Sequence, residues 1–474
     1  MADTDLIFMS AMEAGKRFRD RSLSPVELLD ALIARYDAIA ETVNPFADRY
    51  FELAKRQARE AEAVFAGTEG HARSLEGIPL AVKDMSNIAG QRTTDGSIVY
   101  ADAVPAETDT DIQRLLDAGA IVFARTTCPE FGWLYTTQSR MWGVTHNPWR
   151  HGVSPGGSSG GSAAALAAGA ATLATGSDLT GSIRQPASQC GIVAYQAPYG
   201  RIPMVGAGSF QTYCHLGPMA RTVTDCAVMA NLMSGYDARD HNSLVDTISL
   251  PTGNYNAAGM KIAVSMDLGV YEVSEDVARE TRASVEALRA AGAVIEDVDI
   301  DWAAEVVRLS HGSQEFLFAG YLNDVVAEHG DLVSDYVREL LETADSFTAA
   351  DYRRSVELAG EVWRDHLGPL FRDYDALITP TTTCPDIPAN GWQKNTIEVN
   401  GRRVTDTETS MTAIWNMFGR CPVIAVPSGI ADSGVPTGIQ VVGRPYDEPT
   451  VFRIAGALEK QKPWSYTRQP YPGI

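Results

Sequence analysis

The chain has 474 residues, 45% hydrophobic and 21% charged, enough for one large globular domain or two to three smaller ones. Its 39 Lys and Arg against 60 Asp and Glu give a formal net charge of −21, which argues against nucleic acid and anionic membrane surfaces as partners. Six dispersed cysteines without a C-x-x-C pair, no zinc-type His spacing, no apolar run of the roughly 18–20 residues that span a membrane, and an opening MADTDLIFMS without the features of a secretory signal lead us to expect a cytoplasmic protein with free thiols and no metal.

Ser24-Pro25-Val26-Glu27 reads as a capping box with proline at the first helical position, and Leu28, Leu29, Leu32, Ile33, Tyr36 and Ile39 follow at helical spacing. IPLAVKD (residues 78–84) is a short buried strand that carries Lys83 near its end, and AIVFART (120–126) is a second, after the helix-like TDIQRLLDAGA. Phe131, Trp133 and Tyr135 alternate, the pattern of a half-buried strand. MKIAVSMD (260–267), a helix over about 274–291 and VIEDVDI (294–300) make a strand–helix–strand unit. The stretch 300–375 is helical, locally acidic and the least patterned, as an insertion or lid would be. DALITP (375–380) and CPVIAVPSG (421–429) are buried strands each closed by proline, GIQVVGRP (438–445) is another, and a last helix covers about 449–460. Short apolar strands alternating with helices indicate an α/β fold whose sheet is largely covered. No linker divides the chain, so a single domain over 1–474 is expected.

One stretch stands apart: GGSSGGSAAALAAGAATLATGSDLTGS, residues 156–182. A Gly/Ser tract is usually a flexible spacer. Here residues 162–174 are Ala and Leu with one Gly and one Thr, which favours a closely packed helix. The expected arrangement is loop, buried small-residue helix, loop. Gly157-Ser158-Ser159-Gly160-Gly161 matches G-x-S-x-G, but that motif needs a strand immediately before it. The preceding NPWRHGVSPG, with two prolines and no strand pattern, excludes it; no phosphate-binding G-x-x-x-x-G-K-[ST] occurs. A serine nucleophile needs a base. Neither serine cluster adjoins a histidine suited to that role, since His146 and His151 flank the first cluster from turns. A lysine made neutral by burial is the other option, and Lys83 ends an apolar strand, although most lysines are solvated surface groups.

The segment SPGGSSGGSAAALAAGAATLATGSDLTGSIRQPASQCG (154–191), together with GIPLAVKD, TTCPEFG, THNPW, GPMARTVTD, DALITPT and VPTGIQVVGRP, resembles the amidase signature family, the Ser–Ser–Lys amide hydrolases, over nearly the whole chain. Ser158 and Ser182 stand 24 residues apart, as the family's two key serines do. The resemblance implies a twisted mixed sheet covered on both faces by helices, with a signature core over about 75–235. It implies Ser182 as nucleophile, Ser158 as the bridging serine after a cis peptide, and neutral Lys83 as base. The backbone N–H groups of Leu179, Thr180, Gly181 and Ser182 would form the oxyanion hole, and Asp178 and Arg184 would hold the loop. It implies no cofactor, a small-molecule amide as substrate, and leaves a homodimer open.

Two positions depart from the family pattern: Thr180 where glycine is common, and Gln196 where a non-catalytic lysine often stands. By the same resemblance Phe131 and Trp133 lie near the substrate channel, and Gln185 is placed to face a neutral or polar acyl group. Three functions stay open at this level: a free-standing amidase, an acyl- or amidotransferase using the same triad, and a binding module that has lost catalysis. The intact Lys83, Ser158 and Ser182 speak against the last.

Overall fold

The computed structural model describes residues 3–67, 70–390 and 397–464. Among these, eleven strands form one mixed sheet. In spatial order they are Phe46–Arg49, Ile121–Thr126, Pro79–Lys83, Leu173–Asp178, His215–Ala220, Val193–Gln196, Val423–Ile430, Pro436–Gly443, Ala376–Pro380, Lys261–Val264 and Val294–Asp297. Pro79–Lys83 runs parallel to both neighbours, and the five central pairings from Leu173–Asp178 to Ala376–Pro380 are antiparallel. Side chains alternate across a strand. Leu80 and Val82 enter one apolar core and Ala81 another, so both faces of the sheet are covered. That is why these strands read as continuous apolar runs and not as alternating ones.

The helix Pro25–Val43 begins as its sequence predicts. Ser24 Oγ accepts from Val26 N at 3.0 Å, while Glu27 Oε2 accepts from Ser24 N at 2.8 Å. Its six predicted apolar positions are buried. The strand–helix–strand unit is present as Lys261–Val264, Glu275–Ala290 and Val294–Asp297, the two strands parallel. Residues 305–373 are helical, in segments that include Glu305–His329 and Asp335–Asp345. These two helices pack Ala319, Leu322, Val337 and Leu341 against Phe131, Trp133 and Leu134.

Three local readings change. The Ala-rich helix spans only Gly160–Ala167, and Leu173–Asp178 is a central strand, not a loop. Gly169, at φ +76°, stops the helix where alanine propensity alone would continue it. Next, the alternating aromatics form no strand. A tight turn at Glu130–Gly132, with Phe131 at φ 56°, carries them instead. Finally, Pro427 does not close its strand, which runs on to Ile430 through a register shift at Pro427/Gly429. The proline lies beyond the last residue paired with Val193–Gln196, a setting next to a bulge in which proline is tolerated.

Candidate active site

Lys83 is the last residue of the strand Pro79–Lys83 and is fully buried. Its Nζ donates to Ser158 Oγ at 2.7 Å and to Ser177 Oγ at 2.9 Å. Burial pushes its pKa down to about 8, against the opposing pull of Cys128, Asp178 and Asp95. No carboxylate pairs with the amine among the described residues. Asp84, next in sequence, accepts instead from Thr94 N at 3.1 Å and Trp142 Nε1 at 3.0 Å, and also from the Thr94 hydroxyl.

The serines of the first cluster divide their work. Ser158, after a cis Gly157–Ser158 peptide, meets the lysine. Ser159 N donates to Ser182 O at 3.1 Å, which ties the two loops together. Ser162 Oγ donates to Thr175 O at 2.8 Å, fastening the small-residue helix to the central strand. The short side chains between them, all buried, allow that close approach.

The loop after Leu173–Asp178 is built around one carboxylate. Asp178 Oδ1 accepts from Gly181 N at 2.7 Å, Oδ2 from Ile183 N at 3.2 Å, and Arg184 Nη2 and Nε reach the two oxygens at 3.0 Å each. Burial alone would raise this carboxyl. The charge and hydrogen bonds of Arg184, with Asn416, outweigh it and hold Asp178 well below the usual carboxylate range. Arg184 is itself clamped by Thr412 O, Gln440 Oε1 and Asn416 Oδ1. Gly181 takes φ +123° with Thr412 packed against its Cα, so Thr180 keeps an ordinary backbone. The Gly181 N–H, expected to face substrate, is donated to Asp178. Those of Leu179, Thr180 and Ser182 have no protein acceptor among the described residues.

Ser158, Ser177, Asp178, Leu179, Thr180 and Ser182 open onto a cavity of about 910 Å³. Phe131, Trp133 and Tyr135 form another part of its wall, and Glu315 and Phe318 another. The Tyr135 hydroxyl meets His311 Nδ1 at 2.7 Å and faces the Thr180 side chain, so the substituted glycine position adds a polar contact there. Gln185 is not part of the wall: it is fully buried in the helix Arg184–Cys190. Gln196 is buried in its strand. His146 and His151 pack against each other with ring centroids 3.9 Å apart and planes tilted by 31°, outside the cavity wall.

Ser177 and His215 are among the wall residues that sequence reasoning missed. Ser177 was legible only as one more serine of the second cluster; its role as a partner of Lys83 comes from the sheet register. His215 is brought opposite Asp178 by antiparallel pairing. Burial pushes its pKa down to about 4, and Nδ1 lies 2.8 Å from Ala197 O, which makes Nδ1 the protonated nitrogen of a neutral ring. Among the described residues no group of three or more His, Cys, Asp or Glu side chains is arranged to hold a metal ion, and no helix is long and apolar enough to cross a membrane.

A buried amine joined to one of two serines that open on a common cavity is an arrangement for acyl transfer from an amide or ester. The comparisons with known proteins agree. The family description Amidase matches residues 27–452. An acylamidase of Rhodococcus erythropolis is 32% identical over 470 residues, covering 98% of each chain. A glutamyl-tRNA(Gln) amidotransferase chain of Chloroflexus aggregans is 32% identical over 498 residues, covering 98% of this chain and 99% of that one. The crystal structure of a bacterial aryl acylamidase of the amidase signature enzymes superposes with a TM-score of 0.89 at 24% identity, over 97% of this chain and 98% of the other, which shows the shared fold. The chain therefore belongs to the amidase family and is an amide-hydrolysing enzyme.

Proposed function

We propose that the protein hydrolyses the C–N bond of a small or medium-sized carboxamide through an acyl-enzyme on Ser182. The observation that carries this reading is the 2.7 Å hydrogen bond from buried Lys83 Nζ to Ser158 Oγ, beside a cavity whose wall also holds Ser182. In this reading Ser182 Oγ attacks the amide carbonyl. Its proton passes to Ser158 Oγ as the Ser158 proton passes to neutral Lys83 Nζ. The oxyanion is held by the backbone N–H groups of Leu179, Thr180 and Ser182, each such donor contributing about 2.7–4 kcal/mol. Collapse breaks the C–N bond, and the proton on Lys83 returns through Ser158 to the leaving nitrogen. Water then attacks the Ser182 ester by the same relay, releasing the carboxylic acid and restoring the hydroxyl. Thr180 and Tyr135 narrow the site next to the oxyanion, and Phe131 and Trp133 supply an apolar wall for the substrate.

A second reading, transfer of the acyl group or of released ammonia to another acceptor, is favoured by the similarity to the glutamyl-tRNA(Gln) amidotransferase chain. Measuring amine or ammonia release from a panel of amides, with and without hydroxylamine, separates the two. Hydrolysis predicts acid and amine in equal amounts with water alone. A transferase turns over only when the acceptor is present. No turnover under either condition would overturn both readings.

A further inference from the structure

The charge on the cavity wall is one-sided. Among the residues that line it there are no Lys or Arg, whereas Asp109, Asp178, Glu315, Glu339, Glu342 and Asp406 all contribute. Asp178 is neutralised by Arg184. Glu315 and Asp406 both line the cavity, the charge of Asp406 reaches Glu315, and neither forms an ion pair among the described residues. Beside them the wall is aromatic. Trp133 and Phe318 meet edge to face at 5.4 Å, and both line the cavity. Trp133 is 8% exposed, and its indole Nε1 has no hydrogen-bond partner among the described residues.

The carboxylates and the aromatic rings are the components that recognise an organic cation. An aromatic face attracts a positive charge through its quadrupole, a carboxylate supplies a charge-assisted hydrogen bond, and a low-dielectric cleft lined by one sign of charge focuses the field on a ligand of the other sign. The same cleft repels an anion. We infer that the amide this site takes carries a protonated amine on an aromatic or apolar body, held by Glu315 and Asp406 against the Trp133–Phe318 wall. The inference rests on the proposed amidase reading and adds the class of substrate to it. Burial and the charge of Asp406 push the Glu315 carboxyl up to about 7, an unfavourable state that a bound ammonium relieves.

The test uses matched substrates on both sides of the scissile bond: 4-(aminomethyl)benzamide against 4-ethylbenzamide, and 4-(aminomethyl)acetanilide against 4-ethylacetanilide. In at least one pair the cationic member should have the lower KM by about tenfold, the worth of one hydrogen bond to a charged group. That ratio should fall towards one in Glu315→Gln and be reduced in Asp406→Asn. A ratio near one in both pairs, or a ratio that survives both substitutions, overturns the inference. Calorimetric binding of benzylamine against benzyl alcohol reads the same preference without turnover. Inactivity towards every amide, with benzylamine still preferred in a Glu315-dependent way, would therefore count against the amidase reading and for the cation site.

Discussion

At Lys83 one side chain connects burial, proton affinity and rate. Its amine has two hydroxyl partners and no paired carboxylate among the described residues, so burial lowers its pKa from 10.5 to about 8. With neutral lysine as the working base, kcat/KM should rise about tenfold per pH unit up to roughly pH 8 and level off above it. A maximum near pH 5 with decline above it would point to a carboxylate or imidazole base. Lys83→Ala should cost several orders of magnitude in kcat, and Lys83→Arg should not restore it, because the guanidinium stays charged. The same shift has a sign in stability. The folded value lies below the unfolded one, so the penalty for holding a charged lysine is full below about pH 8 and disappears as pH rises towards 10.5. Between pH 7 and 10.5 the wild type should gain on Lys83→Met by up to roughly 3 kcal/mol in denaturant unfolding, at about 1.4 kcal/mol per pKa unit. A gap that does not change with pH would contradict the assignment.

The elements around that lysine were legible to different depths. Strand 78–84 could be read from its apolar run, and the helix Pro25–Val43 from its cap, because both signals are local. The stretch 156–182 was read correctly as small and closely packed but assigned too much helix. Leu173–Asp178 owes its strand state to neighbours on both sides, at Pro79–Lys83 and His215–Ala220, which no local propensity records. Phe131, Trp133 and Tyr135 misled for the converse reason. Their alternation copies a strand, yet the turn at Glu130–Gly132 takes them to a cavity wall. The loop that follows the central strand depends on one buried ion pair, Asp178–Arg184, with both side chains at 0% exposure. Removing one partner strands the other charge in the interior. Arg184→Met should lower unfolding stability by about 3–5 kcal/mol and disorder the loop 179–182, measurable as a lower denaturation midpoint together with loss of turnover. Unchanged stability would mean that the pair is replaced by solvent.

Across the whole molecule the proposed active site is assembled from parts distant in sequence: Lys83, Ser158, Ser177 and Ser182 from the first half of the chain, Glu315 and Phe318 from the helix Glu305–His329, and Thr412 and Asn416 from the segment that clamps Arg184. The family resemblance named Lys83, Ser158 and Ser182 of the first group from its motifs and left out Ser177. It was silent on the second, since the helix Glu305–His329 shows no periodic apolar face in sequence, and only its seat against Trp133 turns Glu315 to the cavity. The central claim remains the division of labour between the two serines. Treating the protein with a fluorophosphonate and mapping the adduct by mass spectrometry tests it most directly. The account predicts a single phosphonyl adduct on Ser182, forming faster as pH rises to about 8 and greatly slowed in Lys83→Ala. An adduct on Ser158 or Ser159, or labelling of Ser182 at an undiminished rate without Lys83, would contradict it.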